Sequence, residues 1–217
     1  DLAKKRGQDT RVPVLDGSRA ECDWANDPGA TAKGVFGPAR TPHLFRTDYV
    51  SQSNDSHWLT NPKAPLTGFS PIFGDEATAR SIRTRLGIDI IDDRVAGKDG
   101  LAGKKFDLAT LQGALLANRH LGAEMARDDL VTECKKRKSA KLVPACAALK
   151  AWDLKVDLDS RGAHLFHLFA ENGGLKFKVP FSATDPVNTP NTLDVADPAV
   201  MAALEKAVDK LNELNIP

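Results

Sequence analysis

Residues 48–69 of the 217-residue chain read DYVSQSNDSHWLTNPKAPLTGF. Tyr49 and Val50 are good strand formers, so this stretch predicts a short strand at Asp48–Ser51. The residues that follow, 51–62, are dense in amide, hydroxyl and carboxylate side chains around a single tryptophan. Polar groups at the end of a strand often form a site, because the strand fixes them while the loop exposes them.

Two interpretations of this polar segment remain open from the residues alone. An asparagine side chain can donate an N–H to an oxyanion, and such a donor is worth roughly 10²–10³ in rate. Alternatively, the segment is a network of Asx turns that only shapes the loop.

The chain divides into two parts around this segment. Residues 1–74 contain clustered Gly and Pro without helical periodicity, and we expect an irregular segment that lies against a larger body. Residues 75–217 predict a mainly helical portion with few short strands, which makes the fold class α+β. Five helices and one strand are expected in this part. The first helix is capped by Asp75 and ended by Gly87, the second runs from Asp107 to about Cys134 in one or two pieces, and the third has Pro144 in its first turn. The fourth is capped by Ser160 and closed by Gly173–Gly174, the strand lies at Lys176–Phe181, and the fifth helix runs from Asp197 to about Leu214.

Composition excludes two classes of protein. The chain has 30 Lys+Arg against 29 Asp+Glu, a net charge of +1, so it lacks the basic surface typical of a nucleic-acid-binding protein. No window approaches the 18 or so consecutive apolar residues that predict a membrane-spanning helix.

Two further motifs favour ordinary structure over chemistry. Residues 97–105 resemble a phosphate-binding loop, but Lys98 stands where the motif needs its first glycine and Lys105 where it needs Ser or Thr. We therefore expect a turn between helices. His164 and His167 share a helix face among apolar neighbours, which favours core histidines over metal ligands.

Two clusters complete the search for metal sites and nucleophiles. Asp153, Asp157 and Asp159 resemble a calcium loop whose glycine and closing glutamate are misplaced, so a solvated linker is expected. Ser18 and Ser160 have no strand–turn–helix surroundings of a nucleophile. No metal and no cofactor are predicted.

The three cysteines are too few for a disulfide scaffold. In an oxidising compartment Cys134 and Cys146 would close a loop worth at most roughly 3 kcal/mol. Two buried free thiols in a cytosolic protein are the alternative. Cys22 is then free, or its partner lies outside the chain.

Several stretches, in order, resemble the penicillin-acylase family of N-terminal nucleophile hydrolases, in its acyl-homoserine-lactone acylase and aculeacin A acylase branch. The resemblance is carried by residues 48–69, by GDEATARSIRTR at 74–85, and by LDGSRAECDW, GVFGPA, FDLATLQGALLANRHLGAEMARDDLVTEC, ACAALKAWDLKVDLDSRGAHLF and PFSATDPVNTP. It implies an αββα sandwich and hydrolysis of the amide between an acyl chain and an amine head group, such as an acyl-homoserine lactone, a lipopeptide or a β-lactam.

The resemblance also implies roles for individual residues. In the family a serine that begins the large β chain is the nucleophile and its own α-amino group is the base. A backbone N–H and an asparagine side chain hold the oxyanion, and that asparagine maps onto Asn54. An arginine that steadies the site maps onto Arg83 or Arg80, and Asp55 is expected to support Asn54 without touching substrate.

The chain departs from the family's pattern at its first residue, which is Asp1 rather than Ser, Thr or Cys. We expect an internal piece of a β chain whose partners are the α chain and the N-terminal part of the β chain with the nucleophile. The 217 residues alone are then expected to be inactive. Gln52, where relatives tend to carry another asparagine, is a smaller departure.

The family is secreted or periplasmic, which implies that location here and makes Cys134–Cys146 an expected disulfide. Two other functions remain as alternatives: a non-catalytic scaffold or binding domain derived from the acylase fold, and a standalone enzyme that uses His164 or Ser160.

Overall fold

The computed structural model describes residues 16–23 and 25–216. These residues form an α+β chain, as predicted, in which the first α-helix begins at Ile82. The division of the chain after residue 74 stays a prediction. The elements are α1 (Ile82–Ala96), α2 (Leu108–Leu116), α3 (Leu121–Lys136), α4 (Val143–Ala151), α5 (Ala163–Glu171), β1 (Phe177–Val179), β2 (Asn191–Leu193) and α6 (Pro198–Glu213), with 3₁₀ turns at Ala20–Cys22, Pro38–Arg40, His57–Leu59 and Pro71–Phe73.

The main core lies between helices α3 to α6. Helix α5 packs on α6 and α3 packs on α4, and most of the apolar side chains between these helices are buried. Phe166 and Phe169 meet with ring centroids 5.4 Å apart, and Trp152 lies 5.3 Å from Phe166, distances that suit favourable aromatic pairs. Strands β1 and β2 pair antiparallel, with Phe177 opposite Leu193 at the edge of this core. No helix of the described residues is both long and apolar enough to cross a membrane.

Local capping explains the helices that were predicted correctly. The Asp197 side chain accepts the Ala199 N–H at 2.8 Å, and Pro198 occupies the first turn of α6. Asp107 and Thr110 form a capping box that starts α2. The predicted helix from Asp107 is in two pieces, because Asn118, between α2 and α3, has a φ of 46°. Pro144 lies in the first turn of α4, also as predicted.

The predicted helix from Asp75 to Gly87 is wrong in its bounds. The Ser81 hydroxyl accepts the Thr84 N–H at 3.1 Å, so α1 begins after Ser81 and runs through Gly87. Gly97, at φ 73°, ends it in the left-handed conformation that glycine adopts without strain. Residues 97–105 then form a loop between α1 and α2, as predicted, with no regular structure.

The predicted strand at Asp48–Ser51 is also wrong. This segment has no partner strand among the described residues, and two of its backbone groups form hydrogen bonds of another kind. The Asn61 amide donates to the Tyr49 carbonyl at 3.0 Å, and the Ser51 N–H donates to the Thr60 carbonyl at 2.8 Å. The buried side chain of Asn61 takes the place of a neighbouring strand. A prediction from β-propensity alone is therefore wrong here.

Helix α5 differs from its prediction in two respects. Ser160 does not cap it, because the Ser160 hydroxyl donates to Asp153 at 3.0 Å and the helix begins after Gly162. His164 and His167 are exposed rather than core residues. The apolar side chains of the helix occupy its buried face and leave both histidines on the other side.

A disulfide joins Cys134 on α3 to Cys146 on α4, with their Cα atoms 5.9 Å apart, which confirms the predicted pair. Both residues are buried in the main core. Cys22 is a half-buried free cysteine.

Replacing both Cys134 and Cys146 with alanine is expected to lower the free energy of unfolding by about 3 kcal/mol, because the cross-link no longer restricts the unfolded chain. Urea denaturation under non-reducing conditions measures this loss, and Cys22→Ala is the matched control with little expected change. An unchanged urea midpoint in the double variant would contradict the prediction.

Candidate active site

Asn54 lies at the tip of a tight turn just before the 3₁₀ turn at His57–Leu59. Its φ is 60°, in the left-handed region that asparagine adopts more readily than most residues. The Gln52 side chain closes the turn by accepting the Asp55 N–H at 2.8 Å. Asn54 is exposed, and no described residue forms a hydrogen bond with its side-chain amide. The turn therefore presents a free donor to a ligand.

The Asp55 carboxylate fastens this turn to the start of α1. One oxygen accepts from the Arg80 guanidinium and from the Ser56 N–H, the latter at 2.8 Å. The other oxygen accepts the Thr84 hydroxyl at 2.9 Å. Every strong contact of the carboxylate is with a group in the turn or near the start of α1, so Asp55 supports the turn beside Asn54.

Arg80 is the buried anchor of the site, with only 8% of its surface exposed. Besides Asp55, its guanidinium donates to the Asp75 carbonyl at 2.8 Å and to the Thr78 hydroxyl at 2.7 Å. It also lies over the Trp58 ring, 5.2 Å from the ring centre. A planar group with five donors suits this combination of hydrogen bonds and stacking, and lysine cannot reproduce it.

Arg83 reaches the same turn by a different route. It is exposed, and its guanidinium donates to the Ser53 carbonyl at 2.6 Å, one residue before Asn54. The structure thus brings together the four predicted site residues: Asn54 at the tip, Asp55 beside it, and both arginines against the turn. Their chemical roles stay predictions.

The sequence analysis did not identify a second residue that anchors this region, the buried His57. Its Nε2 lies 2.9 Å from the Glu76 carboxylate and its Nδ1 lies 3.2 Å from the Phe73 carbonyl. Glu76 in turn accepts the backbone N–H groups of Gly68 and Phe69, at 2.8 and 2.9 Å. These contacts join residues up to 19 apart in the chain without regular structure, so no spacing in the sequence indicated them.

Gly74 closes the loop against the turn and has to be glycine. Its φ is 110°, and a Cβ built on it would lie 2.5 Å from the Ser56 Cβ. The Ser56 hydroxyl donates to the neighbouring Asp75 carbonyl at 2.6 Å. The turn is therefore held from both sides, by α1 and by the loop at residues 66–76.

Hydrogen bonds stabilise the charged form of both anchoring carboxylates, Asp55 and Glu76. Partial burial alone would raise the pKa of Asp55, but the Ser56 N–H, the Arg80 guanidinium and the Thr84 hydroxyl together lower it below its ordinary value. The pKa of Glu76 is also lowered, first by His57 and then by the two backbone N–H groups that it accepts.

Acid is therefore expected to weaken the site. A carboxyl group whose pKa is lower in the folded state stabilises the fold above its unfolded pKa, about 4 for Asp. That stabilisation is lost as the pH falls through the lower folded value. The difference in melting temperature between the wild type and Asp55→Asn should be full at pH 6 and shrink steadily below about pH 4. A difference that is constant down to pH 2 would contradict this assignment.

The alternative nucleophile and base are not part of this arrangement. The Ser160 hydroxyl is held in a local turn, where it donates to Asp153 and accepts the Asp157 N–H at 3.3 Å. His164 is exposed on α5. Among the described residues, neither side chain hydrogen-bonds to the turn that carries Asn54.

The fold and the site together define an α+β chain with an exposed amide donor on a turn held by buried charge. The sequence matches the Penicillin amidase family over residues 2–216, so the chain belongs to that family, whose acylases are hydrolases. This confirms the family resemblance.

Two named acylases are similar to the chain over most of its length. The chain is 50% identical over 203 residues to aculeacin-A acylase of Actinoplanes utahensis, an alignment that covers 89% of this chain and 26% of that protein. It is 34% identical over 220 residues to acyl-homoserine lactone acylase PvdQ of Pseudomonas syringae pv. syringae strain B728a, covering 96% of this chain and 27% of that protein. The chain thus spans about a quarter of the length of these relatives.

Proposed function

We propose that this chain is part of an N-acyl amidohydrolase in which Asn54 donates a hydrogen bond to the oxyanion. The observation that carries the proposal is the exposed amide of Asn54, which has no described partner and lies on a turn that Asp55 fastens to α1. An oxyanion donor has to be fixed before the reaction, because a donor that must reorganise stabilises the transition state less.

The proposed chemistry is acyl transfer in two steps. A serine hydroxyl attacks the amide carbonyl carbon, its proton passes to the serine's own α-amino group, and the carbonyl oxygen becomes negative. The Asn54 side chain donates an N–H to that oxygen. The α-ammonium group then passes its proton to the leaving nitrogen, so collapse of the intermediate expels the amine and leaves an acyl-serine ester. Water then attacks the ester by the same route, and the serine and the carboxylic acid are released.

We place the serine in another part of the acylase, at the start of a β chain that includes these residues within an αββα sandwich. An α chain and the N-terminal part of the β chain complete this assembly. Supporting this, the relatives are about four times as long as the aligned segment. Residues 1–217 alone should then be inactive, because an oxyanion donor without a nucleophile does not turn substrate over.

The substrate class we propose is a small molecule in which an amide joins an acyl chain to an amine head group. The relatives' names support an acyl-homoserine lactone or a lipopeptide such as aculeacin A, and the family name extends the class to β-lactams. We propose a secreted or periplasmic protein, which is supported by the disulfide between Cys134 and Cys146.

The test is hydrolysis by the full-length protein of three matched amides: an N-acyl-homoserine lactone, an acylated cyclic peptide and a penicillin. Mass spectrometry of the quenched reaction should show an acyl group on the N-terminal serine of one chain. Residues 1–217 alone should show neither hydrolysis nor acylation. Binding of all three amides without any hydrolysis would instead indicate a non-catalytic binding domain.

A further inference from the structure

An apolar groove of about 560 Å³ lies between α1 and α2, away from the contacts that anchor the Asn54 turn. Helices α1 and α2 supply most of its apolar walls, through Ile90, Ile91, Val95, Leu111, Ala114 and Leu115. Contiguous exposed apolar surface of this kind is typical of a surface that another protein segment covers.

Helix α2 has no core of its own in this structure. None of its nine residues is buried, although it is mostly apolar, and Leu108 and Leu115 are 71% and 77% exposed. A nine-residue helix is too short to be stable in water by its own hydrogen bonds. Its helical conformation therefore requires packing against something, and Leu111, Ala114 and Leu115 present one apolar face of the helix to the groove.

The rim of the groove carries positive charge. Lys104 and Lys105 line the groove and are exposed, and within the described part of the chain neither has a carboxylate partner. Asp48, the acidic residue that lines the groove, is already paired with Arg46 at 2.7 Å. A segment that binds in the groove therefore needs a carboxylate of its own to pair with Lys104 or Lys105.

We propose that the groove between α1 and α2 holds an apolar segment from the rest of the same acylase, with a carboxylate facing Lys104 or Lys105. The inference rests on the proposed function in so far as it places these residues within a larger acylase. About three quarters of the length of each named relative lies outside the aligned region, which is ample chain to supply such a segment. A second copy of the chain is the competing occupant.

Hydrogen–deuterium exchange of the full-length protein tests whether the groove is covered. The amides of α2 are expected to exchange at least 100-fold more slowly than those of the exposed loop at residues 97–103, since a covered helix opens rarely. Helix α6, which is buried in the main core, is the internal standard for slow exchange. Exchange of α2 as fast as that loop would overturn the proposal.

Carbodiimide cross-linking of the full-length protein identifies the occupant. Lys104 and Lys105 are expected to couple to carboxylates outside residues 1–217, and Lys206 on α6 serves as a reference lysine. A mixture of light and heavy isotope-labelled protein separates the two occupants: links within one molecule support the proposal, and mixed light–heavy links would show a second copy and overturn it.

Acyl amide hydrolysis by the same sample is measured in parallel. A protected, intramolecularly linked groove in a protein without hydrolysis would contradict the proposed function alone.

Replacing Leu111 and Leu115 with aspartate in the full-length protein gives an independent readout. The melting temperature is expected to fall and α2 to lose its slow exchange, because two charges would lie against the covering segment. Leu214→Asp, at an exposed leucine outside the groove, is the control. Equal melting temperatures for the double variant and the wild type would overturn the proposal.

Discussion

Replacing Asn54 with glycine in the full-length protein is expected to lower kcat for acyl amide hydrolysis by about 10²–10³, with little change in KM. The loss is that of one oxyanion donor, whose hydrogen bond strengthens as charge develops on the carbonyl oxygen. Because the same donor contributes less to ground-state binding, the effect should fall on kcat rather than KM.

Glycine is the informative replacement because of the backbone at Asn54. The residue has a φ of 60°, a conformation that glycine adopts freely and alanine does not. Asn54→Gly therefore removes the amide and preserves the turn, whereas Asn54→Ala adds backbone strain to the loss of the donor. The melting temperature should be nearly unchanged in Asn54→Gly, because the described residues give the side chain no hydrogen bond to lose.

Asn118→Gly is the matched control. Asn118 also has positive φ, at 46°, and lies between α2 and α3, where its side chain donates to Asp157. The Asn118→Gly variant is expected to change the free energy of unfolding slightly and to leave kcat unchanged. If Asn54→Gly keeps full activity while the wild type hydrolyses acyl amides, Asn54 is not the oxyanion donor.

The sequence was most informative where structure is local. The α6 start at Asp197–Pro198 and the capping box at Asp107 depend on residues within one turn, so their identity was enough to predict them. The disulfide was different, because spacing left it open and only the family resemblance favoured it. The prediction for Asn54 likewise rests on resemblance, since composition could not separate a donor from a turn former.

The predictions failed where distant residues decide the local structure. Asp48–Ser51 has strand formers but lacks a partner strand, and the side chain of Asn61 takes one of its carbonyls instead. The segment from Asp75 to Arg80 has helix formers. It stays outside α1 because the Asp75 carbonyl accepts from Arg80 and Ser56, an arrangement tied to Asp55 some 25 residues before Arg80. Propensity carries no information about such partners.

The same long-range contacts distinguish two arginines that the sequence left equivalent. Replacing Arg80 with methionine is expected to lower the free energy of unfolding by about 3 kcal/mol, because it removes the partner of a partly buried carboxylate. The Thr78 hydroxyl loses the Arg80 donor as well, and the Asp75 carbonyl keeps only the Ser56 hydroxyl as a donor. Arg83→Met, which loses one exposed hydrogen bond to Ser53, should cost under about 1 kcal/mol.

A double-mutant cycle with Asp55→Asn separates the ion pair from general disruption. If Arg80 acts mainly through the Asp55 carboxylate, Asp55→Asn should offset part of the damage of Arg80→Met, with a coupling of about 1–3 kcal/mol. Urea denaturation measures the coupling, and kcat measured on the folded fraction shows whether Asn54 has lost its position. Additive losses in stability, or equal losses for Arg80→Met and Arg83→Met, would mean that the buried pair does not hold the turn. Asn54 would then owe its position to Gln52, Gly74 and the His57–Glu76 pair on the opposite side of the turn.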